Sequence, residues 1–262
     1  MANEAKRILP VTEEDKQKSY YKYYLEEMAE VPAEIYEQAA QAKLSPDQVL
    51  SVHDLNLLFE PGYLPAERGY CALPDGTAYM ANILFMPDVT PEMIDWWFAW
   101  HTLDTLRYKI WNREDHMYCM TRNPEQVRDP KLSWREKYQN TLCDITEAFG
   151  PEPKDVVVPF IPPQDMGFDP EKLKDFDGTI IAMASEDSRT TSCHFVRPVP
   201  GGVELRTRFW FGICLRNGKP ERFDDSRLPE ELPKSLLLHN IKEFTNLARL
   251  LPRIFPEERD NF

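Results

Sequence analysis

The chain lacks long apolar runs, paired cysteine spacings and an excess of basic charge. No run approaches the roughly 20 apolar residues of a membrane span, and the polar residues 1–7 lead into no apolar stretch. We therefore expect neither a membrane span nor a signal peptide. The five cysteines form no Cys-x-x-Cys pair, which argues against a zinc site built of cysteines and is typical of reduced thiols in the cytoplasm. The net charge of −13 repels phosphate backbones, so nucleic acid is not an expected partner.

Aromatic side chains are abundant: 14 Phe, 11 Tyr and 6 Trp stand within a hydrophobic fraction of 42%. This composition indicates a folded protein with an aromatic interior, because disordered chains have the opposite composition. A length of 262 residues allows one large domain with a small appendage.

Residues 1–62 are predicted to form a small helical N-terminal domain, in front of a main domain at residues 63–262. An acid-rich start predicts a helix over 13–29, and the composition of 34–42 predicts a second helix. Ser45, followed by a proline, can cap a short third helix. The tyrosines of this segment are expected to pack on the main domain or on another subunit, so a homodimer is a possible assembly.

The next elements are a strand over 77–86 and a helix that begins at Pro91 and continues to about Leu106. Three tryptophans and a phenylalanine occur within five residues of this helix, which leaves almost no polar face. Such a helix is buried nearly all round, so His101 at its end is expected in an apolar setting.

Residues 107–118, which include His116, are predicted to be a loop or short turns. A helix is predicted over 134–142, because Ser133 and Glu136 have the spacing of a capping box, in which the glutamate bonds back to the first residue. Glu136 therefore has a purely structural explanation.

Beyond Gly150 the pattern changes to short β-branched or alternating runs, at residues 155–160, 178–185, 190–199 and 203–212. A long helix is predicted over 233–251 and is expected to stop at Pro252. Strands segregated from helices indicate an α+β fold with an antiparallel sheet. A curved sheet around a long terminal helix is a helix-grip arrangement, which leaves a cavity for an apolar ligand.

His239 and Glu243 are four residues apart on the terminal helix, so their side chains lie together. Glu243 has leucines as helical neighbours, and a buried carboxylate is costly unless it is paired or binds a metal. His101 and Glu136 could complete a set of two imidazoles and two carboxylates, which suits Zn²⁺. The alternative is an ordinary histidine–glutamate surface pair, since this spacing is common by chance.

Five separated segments, in this order, resemble the diacetylphloroglucinol hydrolase/phloretin hydrolase family: WWFAWH at 96–101, LRYKIW at 106–111, WREKY at 134–138, ELRTRFW at 204–210 and HNIKEF at 239–244. The resemblance covers about Asp75 to Leu251. It implies a zinc-dependent hydrolase that cleaves the carbon–carbon bond between a polyphenol ring and an acyl carbonyl. It also implies a helix-grip (Bet v 1-like) catalytic domain behind a small N-terminal domain.

Carried over by motif, the resemblance implies a zinc site and a set of polar groups near the substrate. The implied ligands of Zn²⁺ are His101, Glu136, His239 and Glu243. His194 stands at the place of a substrate-facing histidine, and Asp104 at the place of a polar substrate contact. Protonation of the ring carbon needs a general acid or base, for which the candidates are His194, His116 and Asp104.

Two other classes of function remain open from the sequence. One is a non-catalytic helix-grip protein that carries an aromatic or other hydrophobic ligand, with the polar cluster serving only structure. The other is a metallohydrolase of ordinary amides or esters, which would cleave activated esters far better than aryl ketones. The expected partner of the enzyme is a small phenolic ketone.

Overall fold

The computed structural model describes residues 8–150 and 152–262, and the fold is α+β, as predicted. The strands are β1 Gly69–Ala72, β2 Ala78–Pro87, β3 His116–Thr121, β4 Thr141–Glu147, β5 Lys154–Ile161, β6 Thr179–Met183, β7 Thr190–Val199, β8 Gly202–Phe211, β9 Ile213–Arg216 and β10 Lys219–Arg222. The helices are α1 Tyr21–Tyr24, α2 Ala33–Gln41, α3 Pro91–Trp100, α4 Thr105–Trp111, α5 Pro124–Arg128, α6 Trp134–Tyr138, α7 Pro163–Met166, α8 Pro170–Lys174 and α9 Glu231–Glu258.

One sheet contains β1 to β8 in the order β1-β2-β8-β7-β6-β5-β4-β3, with neighbouring strands antiparallel. Successive side chains of a strand point to opposite faces. In β8, Leu205 packs with the helices inside the sheet, whereas Trp210 packs with the residues that cover its outside. Both faces of this part of the sheet are therefore buried.

The sheet curls around α9. In the sheet order, β2 and β4 are five intervals apart, and at about 4.8 Å per interval a flat sheet would separate them by about 24 Å. Yet Asn82 of β2 lies 3.0 Å from Asn240, and Glu147 of β4 lies 3.7 Å from the adjacent His239 (atoms Nδ2 to Oδ1 and Oε2 to Nε2). Strands near both ends of the sheet thus reach one turn of the helix, which is the predicted helix-grip arrangement.

Helix α9 does not stop at Pro252 as predicted but continues to Glu258, with Pro252 and Pro256 inside it. A proline inside a helix removes a hydrogen bond and costs about 3 kcal/mol. The continuation is favoured because Ile254 and Phe255 are buried in the aromatic core, where the Phe255 ring meets Trp96 edge-on at 5.3 Å. Tertiary packing overrides the local signal here.

The N-terminal segment covers the rest of the molecule in two places. The predicted helix over 13–29 is wrong: only a 3-10 turn, Asp15–Gln17, and α1 are helical, and the α1 tyrosines pack against the core beside α9. Residues of the 3-10 segment Val52–Phe59 cover the outside of the sheet. The division into domains at residue 62 stays a prediction.

Two further predictions of local structure are wrong, and both concern one edge of the sheet. Residues 107–118 are not a loop, since they include most of α4 and the start of β3. The helix predicted over 134–142 ends at Tyr138, and β4 begins at Thr141. Within residues 8–150 and 152–262, no helix is both long and apolar enough to cross a membrane.

Candidate metal centre and cavity

A cavity of about 600 Å³ lies between the concave face of the sheet and α9. β5 pairs with β6 only at Phe160 and Ile161, so the beginning of β5 separates from its neighbour. Val156, in the separated part of β5, and the exposed Arg189 both line the cavity. Its lining is mostly apolar and aromatic, with a polar end at His239 and Glu243.

Two histidines converge at this polar end. His116 is the first residue of β3, and His239 lies in the middle of α9; both are buried. Their Nε2 atoms are 3.3 Å apart. Two ring nitrogens at this distance cannot both carry a proton towards each other, so at least one lone pair points into the gap.

Two carboxylates approach the same point. Glu147 Oε2, at the end of β4, lies 3.8 Å from His116 Nε2 and 3.7 Å from His239 Nε2. Glu243 Oε2 lies 3.4 Å and 3.8 Å from the same two nitrogens. No lysine or arginine in the described part of the chain forms an ion pair with either glutamate. We call His116, Glu147, His239 and Glu243 the metal group.

The spacing within the metal group fits a metal ion. His116, Glu147 and His239 each offer one atom, and these atoms lie within 4.8 Å of one another. In a tetrahedral Zn²⁺ site with bonds of about 2.0–2.2 Å, neighbouring ligand atoms are about 3.3–3.6 Å apart. The measured nitrogen–nitrogen and nitrogen–oxygen distances, 3.3 to 3.8 Å, are close to that range. His116, Glu147 and His239 could therefore hold a metal ion, and Glu243 Oε2 lies within 3.8 Å of both histidine nitrogens.

The outer nitrogens of the two imidazoles face oxygen atoms. His116 Nδ1 is 3.1 Å from the Tyr108 carbonyl oxygen, and His239 Nδ1 is 3.6 Å from Asp115 Oδ2, slightly beyond hydrogen-bond distance. Lys242 Nζ donates to the same Asp115 oxygen at 2.7 Å. Metal-binding histidines usually present their second nitrogen to such an oxygen, which fixes the ring.

The protonation of the metal group follows from burial and crowding. Burial alone would lower the pKa of His239, but Asp115, Glu243 and Glu147 together raise it to about 9. Burial raises the pKa of Glu243 to about 8, despite the opposing effect of His239. Burial, reinforced by the charge of His239, holds the pKa of His116 well below its usual value. In the absence of a metal ion, burial and the crowding of carboxylates therefore favour protonation of His239 and Glu243.

Tyr108 and His194 line the cavity beside the metal group. The Tyr108 hydroxyl donates to Glu147 Oε2 at 2.7 Å, and its ring stacks on His116 with centroids 3.8 Å apart. His194 on β7 is buried, with Nδ1 2.9 Å from Thr207 Oγ1. Burial lowers the pKa of His194 to about 3, so the ring is neutral near pH 7.

The structure does not bring His101, Glu136 or Asp104 into the metal group. His101 lines the cavity, but its Nδ1 lies 2.7 Å from the Trp97 carbonyl oxygen and its ring stacks on Tyr108, with centroids 5.8 Å apart. Burial lowers the pKa of His101 to about 4. The Glu136 carboxylate is exposed and accepts bonds from Ser133, in the capping box.

Asp104 has a structural role at the start of α4. Its Oδ1 accepts the Leu106 backbone N–H at 2.8 Å, and its Oδ2 pairs with Lys18 at 2.6 Å. It is not among the residues that line the cavity. Tyr108 lines the cavity, whereas Trp210 lies on the outer face of the sheet.

Sequence reasoning missed Glu147 entirely and considered His116 only as a proton carrier. A signal for Glu147 existed, because Cys143, Ile145 and Glu147 alternate with polar residues as in a strand. The structure shows that these three residues line the cavity. His116 gave no such signal, because its strand carries an irregularity in register between His116 and Tyr118.

Comparison with known proteins identifies sequence relatives along nearly the whole chain. A family model described as the DAPG hydrolase PhiG domain matches residues 50–256, a range that contains the metal group. Phloretin hydrolase of Eubacterium ramulus is 34% identical, covering 96% of this chain and 94% of the relative. A 2,4-diacetylphloroglucinol hydrolase of Pseudomonas sp is 29% identical, covering 92% and 88%. A crystal structure of Ara h 8.0201 aligns with a TM-score of 0.39 and 9% identity, over 67% of this chain and 98% of its own.

Proposed function

The chain belongs to the DAPG hydrolase PhiG domain family, as the sequence motifs predicted, and from that premise we propose that it is a zinc-dependent carbon–carbon bond hydrolase. The proposed substrate is an aryl ketone whose ring carries hydroxyl groups beside the acyl group, of the phloretin or acylphloroglucinol type. The observation that carries the proposal is the position of the metal group, which closes one end of an apolar cavity.

We propose His116, Glu147, His239 and Glu243 as the residues that hold Zn²⁺, with His116 and Glu147 in place of His101 and Glu136. Two imidazoles and two carboxylates are ligand types that zinc accepts. When bound, Zn²⁺ polarises a carbonyl group and lowers the pKa of a water molecule to about 7. The Tyr108 hydroxyl, by donating to Glu147 Oε2, holds that carboxylate in place.

The apolar part of the cavity is proposed to bind the ring and the acyl chain. Phe98, Trp111 and Phe209 contribute aromatic surface, and Leu236 contributes aliphatic surface from α9. A phenolic ring buried among these side chains is stabilised by the burial of its apolar surface and by edge-to-face contacts with aromatic rings. The bound ring also excludes water from the apolar part of the cavity.

The reaction adds the elements of water across the bond between ring and carbonyl. Hydroxide goes to the acyl carbon, a proton goes to the ring carbon, and the products are a polyphenol and a carboxylic acid. Because His194 is neutral, we propose that it accepts a hydrogen bond from a ring hydroxyl and so favours the keto tautomer that can be protonated at carbon. Asp104 does not line the cavity, which argues against a role for it in this step.

The test combines metal analysis with product analysis. Purified protein is expected to hold about one zinc per chain, a ratio set by one metal group, and to convert phloretin or diacetylphloroglucinol into a polyphenol and a carboxylic acid. Tight binding of these ketones without any product would favour a carrier protein instead. Faster cleavage of activated esters than of aryl ketones would favour an ordinary metallohydrolase.

A cytoplasmic location is proposed as well. The five cysteines are free thiols and all are buried, which supports a reducing compartment such as the cytoplasm. The homodimer stays a prediction.

A further inference from the structure

A chain of side-chain hydrogen bonds leads from the edge of the sheet to the metal group. Arg68, next to β1, donates from Nε to Asn82 Oδ1 at 2.9 Å. Asn82 Nδ2 donates to Asn240 Oδ1 at 3.0 Å. Asn240 Nδ2 then donates to Glu243 Oε1 at 3.1 Å. Three residues outside the metal group therefore connect in series to one of its carboxylates.

The direction of this chain is fixed by the chemistry of its two ends. A guanidinium group can only donate hydrogen bonds, and the Glu243 carboxylate, which is ionised when it binds a metal, can only accept them. Each amide between them must therefore accept on its oxygen and donate from its nitrogen, so neither asparagine can be turned over without breaking two bonds. Arg68 is itself anchored, because its Nη2 donates to the Ile83 carbonyl at 2.7 Å.

Burial makes the chain costly to interrupt. Asn82 and Asn240 are 0% and 1% exposed. A buried amide that loses a partner destabilises the fold, because water cannot replace the missing bond. The bonds are consequently expected to persist in solution, and the Glu243 side chain is held at its Oε1 atom.

The bond from Asn240 occupies Glu243 Oε1, whereas Oε2 is the oxygen that lies 3.4 Å from His116 Nε2. We propose that Arg68, Asn82 and Asn240 are positioning residues that hold Glu243 with Oε2 turned to the metal. This inference rests on the proposed function. The competing explanation is that the asparagines only fasten β2 to α9 and leave metal binding unaffected.

The test measures zinc affinity in Asn240→Leu, Asn82→Leu and Arg68→Met, by competition with a chromophoric chelator. Loss of an outer partner of a metal ligand typically lowers metal affinity about 10–100-fold, so Asn240→Leu should fall in that range. Asn82→Leu should lose less and Arg68→Met least, because each acts through the next residue. Arg68→Lys, which keeps a donor, should recover part of the loss. Cobalt-substituted protein should show an altered absorption spectrum in the same order.

Asn246→Leu is the matched control. Asn246 is also a buried asparagine of α9, but its amide donates to the carbonyls of Ile110 and Trp111. It should lose stability and keep the wild-type zinc affinity. Arg68 is only half-buried, so its variants are expected to fold. They can therefore be measured even if a leucine variant of Asn82 or Asn240 does not fold.

The possible results separate this inference from the proposed function. Wild-type zinc affinity in the Asn240, Asn82 and Arg68 variants would overturn the inference alone, as would an equal loss in Asn246→Leu. If the wild-type protein binds no zinc, the proposed function fails and the inference fails with it.

Discussion

Each face of the sheet has a cluster of buried charged residues, and the two clusters differ in how many cationic side chains accompany their carboxylates. On the outer face, Glu67 lies between Arg206 and Arg208. Arg206 donates to both Glu67 oxygens, at 2.6 and 3.1 Å, and to the Leu58 carbonyl. On the inner face, the metal group brings two carboxylates to two imidazoles, and the described residues add no lysine or arginine to either carboxylate.

The balance of charge indicates what each cluster is for. Despite its burial, Glu67 has a lowered pKa, because hydrogen bonds from Arg206 and the charge of Arg208 stabilise the carboxylate. Glu243 has a pKa raised to about 8, because burial outweighs the help from His239. The outer cluster is complete as it stands and can serve structure. The inner cluster balances its carboxylates by taking up protons, and a metal ion could take the place of those protons, which is a property of a binding site.

Removal of a carboxylate from the inner cluster is expected to have the largest effect and tests whether this cluster binds a metal. Glu147→Ala and Glu243→Ala should lose bound metal and lower kcat/KM at least about 1,000-fold, equivalent to about 4 kcal/mol of transition-state stabilisation. Metal content and turnover of a phenolic ketone are measured together. Glu136→Ala is the control: it should keep its metal and lose only a little stability, through the weakened capping box. The reverse pattern would restore Glu136 as the ligand.

Removing the carboxylate of the outer cluster should affect stability instead of metal binding. Glu67→Leu leaves Arg206 and Arg208 buried without an anion, which typically costs about 3 kcal/mol or more. Urea unfolding measures this loss, and metal titration should give the wild-type affinity. A variant of unchanged stability that binds metal poorly would show that the two clusters are not separate.

His194 tests the chemistry of the cavity apart from the metal. His194→Gln should lower kcat about 100-fold, the lower range for removal of a positioned proton-transfer group, with metal content unchanged. Steady-state kinetics on a phenolic ketone provides the measurement. Unchanged kcat would make His194 a packing residue.

The smallest expected effect concerns pH. The folded-state pKa of His194 is about 3, because of burial, whereas an unfolded histidine titrates near ~6.5. Below the unfolded value the unfolded chain binds a proton that the folded chain does not, so stability is lost as pH falls. The loss from this residue at about pH 5.5 is about 1 kcal/mol. Urea unfolding at two pH values should show a smaller pH-dependent loss in His194→Gln than in wild type.

The parts of the fold that local periodicity determines could be predicted. The buried helix before His101 and the strands β6 and β8 have clear patterns, and the structure contains them. The end of α9 could not be predicted, because burial of Ile254 and Phe255 offsets the cost of Pro252. The sequence pattern does not predict segments whose conformation depends on contacts with residues far away in the chain.

The same distinction applies to the candidate site. His239 and Glu243 were found because an i, i+4 pair on a helix needs no tertiary information. The approach of His116 and Glu147 depends on the curl of the sheet, which brings β3 and β4 to the middle of α9. His101 directly follows an apolar helix with three tryptophans, and an imidazole in such a setting was interpreted as a metal ligand. In the structure its ring stacks on Trp97 and Tyr108 instead.

The most direct measurement is a crystal structure of the zinc-loaded protein with anomalous scattering at the zinc edge. We expect one anomalous peak, with ligand atoms from His116, Glu147, His239 and Glu243 at about 2.0–2.2 Å. A peak bonded to His101 or Glu136 would contradict the assignment of the metal group. Fully loaded crystals without a peak between these four residues would contradict the account as a whole.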